Sequence, residues 1–236
     1  MTAPSEHKRI LYGRRRGRPL RQGQRNLLTD LLPRIAVTLP EHGALDPARL
    51  FEPLPRDTWL EIGFGGGEHL AAQAAAHPDI GMIGCEVFET GIAKLLAEID
   101  RRALGNVRIL ADDARLLLAA LPGARIGRAF ILFPDPWPKQ RHHKRRLVGE
   151  ETLAALARVM KDGAELRLAT DDPDYLRWML ERVTVHPDFE WLVGGPADWR
   201  TRPADWPATR YEAKAIAAGR RPAFLRLRRR PRGAVC

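Results

Sequence analysis

Between residues 57 and 170 the chain alternates short apolar runs with longer segments whose apolar residues recur every three or four positions. A glycine or an acidic turn separates them, which is the rhythm of βαβ units. Residues 59–62, 82–87, 107–111, 129–133 and 165–169 read as strands with little polar alternation, as expected where helices cover both faces of a parallel sheet. Five such strands predict a doubly wound α/β fold. Ile92, Leu95, Leu96, Ile99 and Ala103 fall on one helical stripe, as do Leu153, Leu156, Ala157 and Met160. Asp172 before Pro173 resembles an N-cap followed by a first-turn proline, opening a helix with Leu176, Met179, Leu180 and Val183 on its apolar side. Residues 189–193 and 224–227 are expected late strands, one of them antiparallel. Residues 194–210 hold three prolines and read as a surface loop.

Composition sharpens this picture through charge. The chain has 236 residues, 44% of them apolar, enough for one large domain with extensions. Its net charge of +10 is unevenly placed: residues 1–25, 139–146 and 220–232 together carry +19, so the remaining 190 residues carry −9. A mildly acidic domain wearing three cationic patches points to a polyanionic partner. Residues 1–25 are expected to form a basic mobile arm, and residues 26–236 a single domain with a basic C-terminal end. No run of 18 apolar residues and no signal-peptide core occurs, so neither membrane spanning nor secretion is expected and a cytoplasmic setting follows. Cys85 and Cys236 are far apart, and neither a disulfide framework nor a metal site is indicated. The sequence leaves open whether the chain acts alone or as a dimer.

The run from Trp59 through Gly63, Gly65 and Gly67 leaves a strand and enters a helix, where glycines let a ligand approach the backbone. The dinucleotide fingerprint wants a small residue one place after Gly67, and Glu68 stands there; its charge would repel a pyrophosphate. Glu61, before the glycines, suits a cofactor that is cationic and free of phosphate, such as S-adenosylmethionine. Glu86, at the end of the second strand, is placed for ribose hydroxyls, and Asp113, with Asp112 as its rival, for the adenine. A tight turn with ordinary strand-end carboxylates is the plainer alternative, weakened because three successive units each end in an acid. His69 reads as a helix-face residue.

The segment from Phe133 to Arg146 is the most informative. Pro134 and Pro136 flank Asp135, Trp137 follows, and Lys139, Arg141, Lys144, Arg145 and Arg146 come directly after. The prolines stiffen the loop and hold Asp135 at the sheet edge. Trp137 offers a face for stacking a base, and the cations can neutralise phosphates. Taken singly, Trp137 could be core packing and the cations a solvated face; His142 and His143 lack partners at metal spacing.

On these residues the chain resembles the bacterial tRNA (guanine-N7)-methyltransferases. The likeness covers Arg15 to Arg18, Gln22 to Gln24, Glu61 to Gly67, Gly84 to Glu86, Asp113 and Ala114, the Phe133 to Arg146 run, Ala169 to Asp171, and Thr209 to Glu212. It implies a Rossmann-like class I methyltransferase sheet and S-adenosylmethionine surrounded by Glu61, Gly63, Gly65, Gly67, Glu86, Asp113 and Asp135, with Asp135 the catalytic residue. It further implies substrate contacts from Lys139, Asp171, Thr209, Arg210, Tyr211 and Glu212, and RNA contacts from Arg141, His142, His143, Lys144, Arg145 and Arg146. The acceptor would be the variable-loop guanine at tRNA position 46. The family continues after Tyr211 and Glu212 with basic residues and a glycine, whereas this chain has Ala213, Lys214 and Ala215. Three rivals remain at this level: an exocyclic-amine methyltransferase, a cysteine-dependent pyrimidine C5 enzyme, disfavoured because Cys85 falls inside a strand, and a noncatalytic RNA-binding factor.

Overall fold

The computed structural model describes residues 15–17 and 19–233; most of the basic N-terminal arm, Arg18 and Cys236 lie outside them. Seven strands form one sheet: β1 (Asp57–Ile62), β2 (Ile80–Cys85), β3 (Val107–Leu110), β4 (Ile126–Leu132), β5 (Met160–Thr170), β6 (Phe189–Trp191) and β7 (Ala223–Arg229). The order is β3-β2-β1-β4-β5-β7-β6. The first five are parallel, and β7 runs antiparallel to both β5 and β6. The helices are α1 (Gln22–Asp30), α2 (Leu32–Ile35), α3 (Glu68–Ala76), α4 (Glu89–Arg102), α5 (Ala114–Ala120), α6 (Glu150–Val159), α7 (Pro173–Val183), α8 (Ala197–Arg200) and α9 (Arg210–Ala217).

Period-two side-chain alternation splits the core into two layers. From β2, Ile83 and Cys85 enter the layer holding Leu117, Leu153, Leu156 and Tyr175. Ile80 and Met82 enter the opposite layer with Leu70, Leu95, Leu96 and Phe130. Successive strands are added on one side of β1 toward β3 and on the other from β4 onward. The C-terminal ends of β1 and β4 therefore flank a crevice where the winding reverses, the place where open α/β sheets bind ligands.

Helix and strand ends depart from the sequence reading in identifiable ways. β2 stops at Cys85, so Glu86 opens the following turn rather than closing a strand. Ala103 is not part of the α4 stripe: it caps the helix in a left-handed conformation, φ 51°. Met160 leaves α6 and begins β5. The Asp172 cap is as expected, accepting from the Tyr175 amide with Pro173 in the first turn. α1 begins at Gln22, inside the segment read as an arm, and packs on α4. The proline-rich loop contains the single-turn α8.

Candidate active site

The crevice holds a cavity of about 840 Å³ lined by Glu61, Gly63, Gly65, His69, Glu86, Asp112, Asp113, Asp135, Trp137, Lys144, Arg145, Thr209 and Tyr211, among others. Its floor is the turn from β1 to α3. Gly63, Gly65 and Gly67 have φ of 73°, 56° and 78°, the left-handed region that favours glycine. A methyl at Gly63 would meet nothing within 4 Å, so the backbone there faces open space, whereas one at Gly67 would strike Leu95. The first glycine is a cradle and the third a packing contact. Glu86 locks the turn: one carboxylate oxygen accepts from the Gly65 amide at 2.8 Å, the other from Val87 at 2.8 Å and Phe88 at 3.0 Å. Burial pushes the Glu86 carboxyl above its ordinary value, opposed by these three donors, and the negative charge of Asp135 adds to the rise. Gly91 presses on the same turn: a methyl there would come within 2.1 Å of the Gly65 carbonyl oxygen. No motif flagged Gly91, because its constraint comes from the packing of α4 onto the loop.

Glu61 and Asp113 already have protein partners. Glu61 is buried and takes a 2.7 Å bond from Nδ1 of His69. His69 is thus no helix-face residue: the glycine turn folds α3 back over β1 and buries it. Asp113 caps α5 through the Arg115 amide and holds the Arg115 guanidinium at 2.6 Å, while Asp112 accepts from the Asp113 amide. Both aspartates line the cavity. Cys85 is buried, and desolvation with the nearby Asp113 and Glu86 charges drives its thiol pKa far up. That direction disfavours the thiolate a nucleophilic cysteine needs.

Across the crevice stands the loop after β4. Phe133 and Trp137, on either side of the proline–aspartate–proline run, adopt positive φ of 52° and 45°, which costs non-glycine residues energy and persists only where surroundings enforce it. Enforcement comes partly from Arg146. The sequence reading assigned Arg146 to RNA phosphates; instead its side chain is 1% exposed, donates to the Pro136 carbonyl at 2.8 Å, pairs with Asp174 and lies over the Tyr175 and Trp178 rings. Arg146 is a loop anchor, because a guanidinium can satisfy a carbonyl, a carboxylate and two ring faces together. His143 likewise turns inward, 3.6 Å from Asp174 and edge-on to Trp178. Arg141 and Lys144 are exposed. The indole of Trp137, expected to offer a stacking face, carries the Arg145 guanidinium 5.0 Å from its ring centroid and His142 edge-on. Loss of hydration and the surrounding cations hold His142 below the ordinary imidazole range.

Of the remaining expected residues, Thr209 and Tyr211 line the cavity. Thr209 caps α9 through the Glu212 amide, and Glu212 is buried against Arg202. Tyr211 lies over Gly65, and Arg210 approaches Glu68 at 3.7 Å. Asp171 pairs with Arg220 at 2.7 Å. Lys139 is exposed at the end of the loop, and neither Lys139, Asp171, Arg210 nor Glu212 lines the cavity.

Such a floor, with an open glycine cradle and a rim of carboxylates, fits a positively charged nucleoside without phosphate. Comparison with known proteins agrees. A family model described as "Putative methyltransferase" matches residues 55–225. A tRNA (guanine-N(7)-)-methyltransferase of Rhodospirillum rubrum is 55% identical over 98% of this chain and 91% of its own length. The protein of the same name from Paramagnetospirillum magneticum is 54% identical over 94% of this chain and 93% of its own. Among solved structures, the 16S rRNA methyltransferase KamB superposes with a TM-score of 0.51 at 17% identity, covering 75% of this chain and 89% of that one, which speaks for the fold alone. The sheet is that of a class I methyltransferase, and the methyl donor is S-adenosylmethionine. The chain belongs to the tRNA (guanine-N7)-methyltransferase family.

Proposed function

We propose that the chain methylates N7 of the variable-loop guanine, position 46 in tRNA numbering, with Asp135 beside the acceptor base. The observation that carries this reading is the shared cavity: Asp135, on a strained and anchored loop, faces the same space as Glu86 and the glycine turn. In this reading Glu61, Glu86, Asp113 and the turn at Gly63 to Gly67 hold S-adenosylmethionine, which when bound supplies an electrophilic methyl group on a sulfonium. Guanine N7 bears a lone pair and no proton, so no side chain has to act as a general base. The work left to the protein is positioning and charge. As the purine ring gains positive charge, the fixed Asp135 carboxylate stabilises it. Thr209 and Tyr211, which line the cavity, border the entering nucleotide, and the exposed Lys139 and Arg210 meet it outside the cavity. Arg141 and Lys144, with the basic residues of 1–25, follow the RNA backbone. A cytoplasmic tRNA pool is the substrate.

The test uses tRNA transcripts with guanosine or adenosine at position 46. After methylation, borohydride reduction and aniline cleavage map 7-methylguanosine. Cleavage at that position, abolished by the adenosine substitution, supports the reading; undiminished methylation of the adenosine transcript contradicts it.

A further inference from the structure

A buried polar chain leads away from the cavity through Glu61, His69 and Gln73. Glu61, His69 and Gln73 are all nearly inaccessible, at 2%, 2% and 3% exposure. His69 is edge-on to Phe130 at 4.7 Å and tilted against Trp206 at 6.0 Å, so its ring is fixed by apolar neighbours. Its Nδ1 lies 2.7 Å from Glu61, and its Nε2 lies 3.4 Å from the Gln73 amide nitrogen. That same nitrogen donates to the Asp205 backbone carbonyl at 3.0 Å.

This connectivity fixes protons. A backbone carbonyl can only accept, so it takes one of the two hydrogens of the Gln73 amide. The other points to His69, whose Nε2 must then be the unprotonated acceptor. The proton of a neutral imidazole therefore sits on Nδ1 and is donated to Glu61. Glu61 is thereby the acceptor of this bond, and a buried carboxylate without a donor would be costly. A doubly protonated ring would instead cancel the charge at the cavity floor.

We infer that His69, set in its Nδ1–H tautomer by Gln73, is a positioning residue that holds the ionised Glu61 carboxylate toward the cationic end of the methyl donor. The inference rests on the reading that Glu61 lies against the donor. Equilibrium dialysis of the full chain with S-adenosylmethionine and with 5′-methylthioadenosine, a neutral thioether that lacks the aminocarboxypropyl group and with it both the ammonium and the sulfonium charge, tests both. Replacing His69 by Phe should weaken S-adenosylmethionine binding about tenfold, the effect of removing a charge-assisted bond, and leave 5′-methylthioadenosine within about twofold. His69→Asn, whose side-chain amide can stand near the position of the missing Nδ1, should restore most of the affinity. In a Glu61→Gln background, His69→Phe should add nothing.

Should Glu61→Gln weaken donor binding while His69→Phe does not, the role of His69 is overturned and that of Glu61 stands. Normal donor binding by Glu61→Gln would remove the donor-facing reading itself, and His69 with it. If His69→Phe does not fold, ¹⁵N NMR of the wild-type imidazole decides. A protonated Nδ1 with bare Nε2 at neutral pH supports the inference, and the opposite tautomer or a doubly protonated ring overturns it.

Discussion

Asp135 and Glu86 both line the cavity, and the proposed chemistry depends on them most. Replacing Asp135 by Ala should slow single-turnover methylation about 100-fold or more, the scale expected for removing a charge-stabilising group, while tRNA affinity stays nearly unchanged. Near-normal single-turnover rates would remove Asp135 from the mechanism. Glu86 sets a pH dependence. Burial raises its carboxyl above the ordinary range, so the folded chain takes up this proton at a higher pH than the unfolded chain does. Ionised Glu86 therefore costs stability above the ordinary carboxylate range, and that cost fades as pH falls through the raised pKa. In the proposed reading, the same protonation weakens Glu86 as an acceptor for the donor's ribose. Donor affinity should decline on acidification before an unperturbed glutamate would titrate, and Glu86→Gln should erase that part of the profile in dialysis across pH. The places of both residues at the cavity were legible: Glu86 follows an apolar run, and Asp135 stands between two prolines just after another. The His69 partner of Glu61 was not: the contact spans a left-handed glycine turn and leaves no periodicity to read.

At the scale of elements, strand cores were legible and junctions were not. Apolar runs marked β1 to β5, but the polar Lys161 and Asp162 of β5 lie in an irregular stretch between the Met160 and Glu165 pairings with β4, which no apolar run could mark. The glycine turn shows the same limit. Its motif named Gly63, Gly65 and Gly67, yet the tightest contact is made by Gly91 of α4, against the Gly65 carbonyl. Backbone meets backbone there, so the clash cannot be relieved by a rotamer change. Gly91→Ala should therefore destabilise the fold by about 1–3 kcal/mol, as overpacking does. It should also weaken donor binding by displacing the turn that Glu86 grips. Thermal melts and dialysis of the same protein check this, and wild-type values in both would show the helix free to move away.

At the scale of the whole molecule, charge counting located the basic segments but not the direction of their side chains. In the C-terminal segment Arg226 pairs with Glu165, Arg228 with Glu190, Arg229 with Asp162 and Asp188, and Arg232 with Asp162. Much of that patch neutralises acids of the domain itself. Within the central run the same division separates Arg146 from Arg141 and Lys144. Arg146→Ala should lower the melting temperature, because it strips a buried hydrogen-bonded cation from the loop after β4. Arg141→Ala with Lys144→Ala should leave melting unchanged and reduce the salt slope of tRNA binding by about one for each phosphate no longer neutralised. Equal melting for the single and the double variant would contradict the division. The claim on which every scale converges is transfer of a methyl group to guanine N7 in tRNA. Incubation of the full chain with bulk tRNA and methyl-labelled S-adenosylmethionine, followed by digestion to nucleosides, tests it in one measurement. The label should appear in 7-methylguanosine; label confined to any other nucleoside, or none incorporated, would contradict the account.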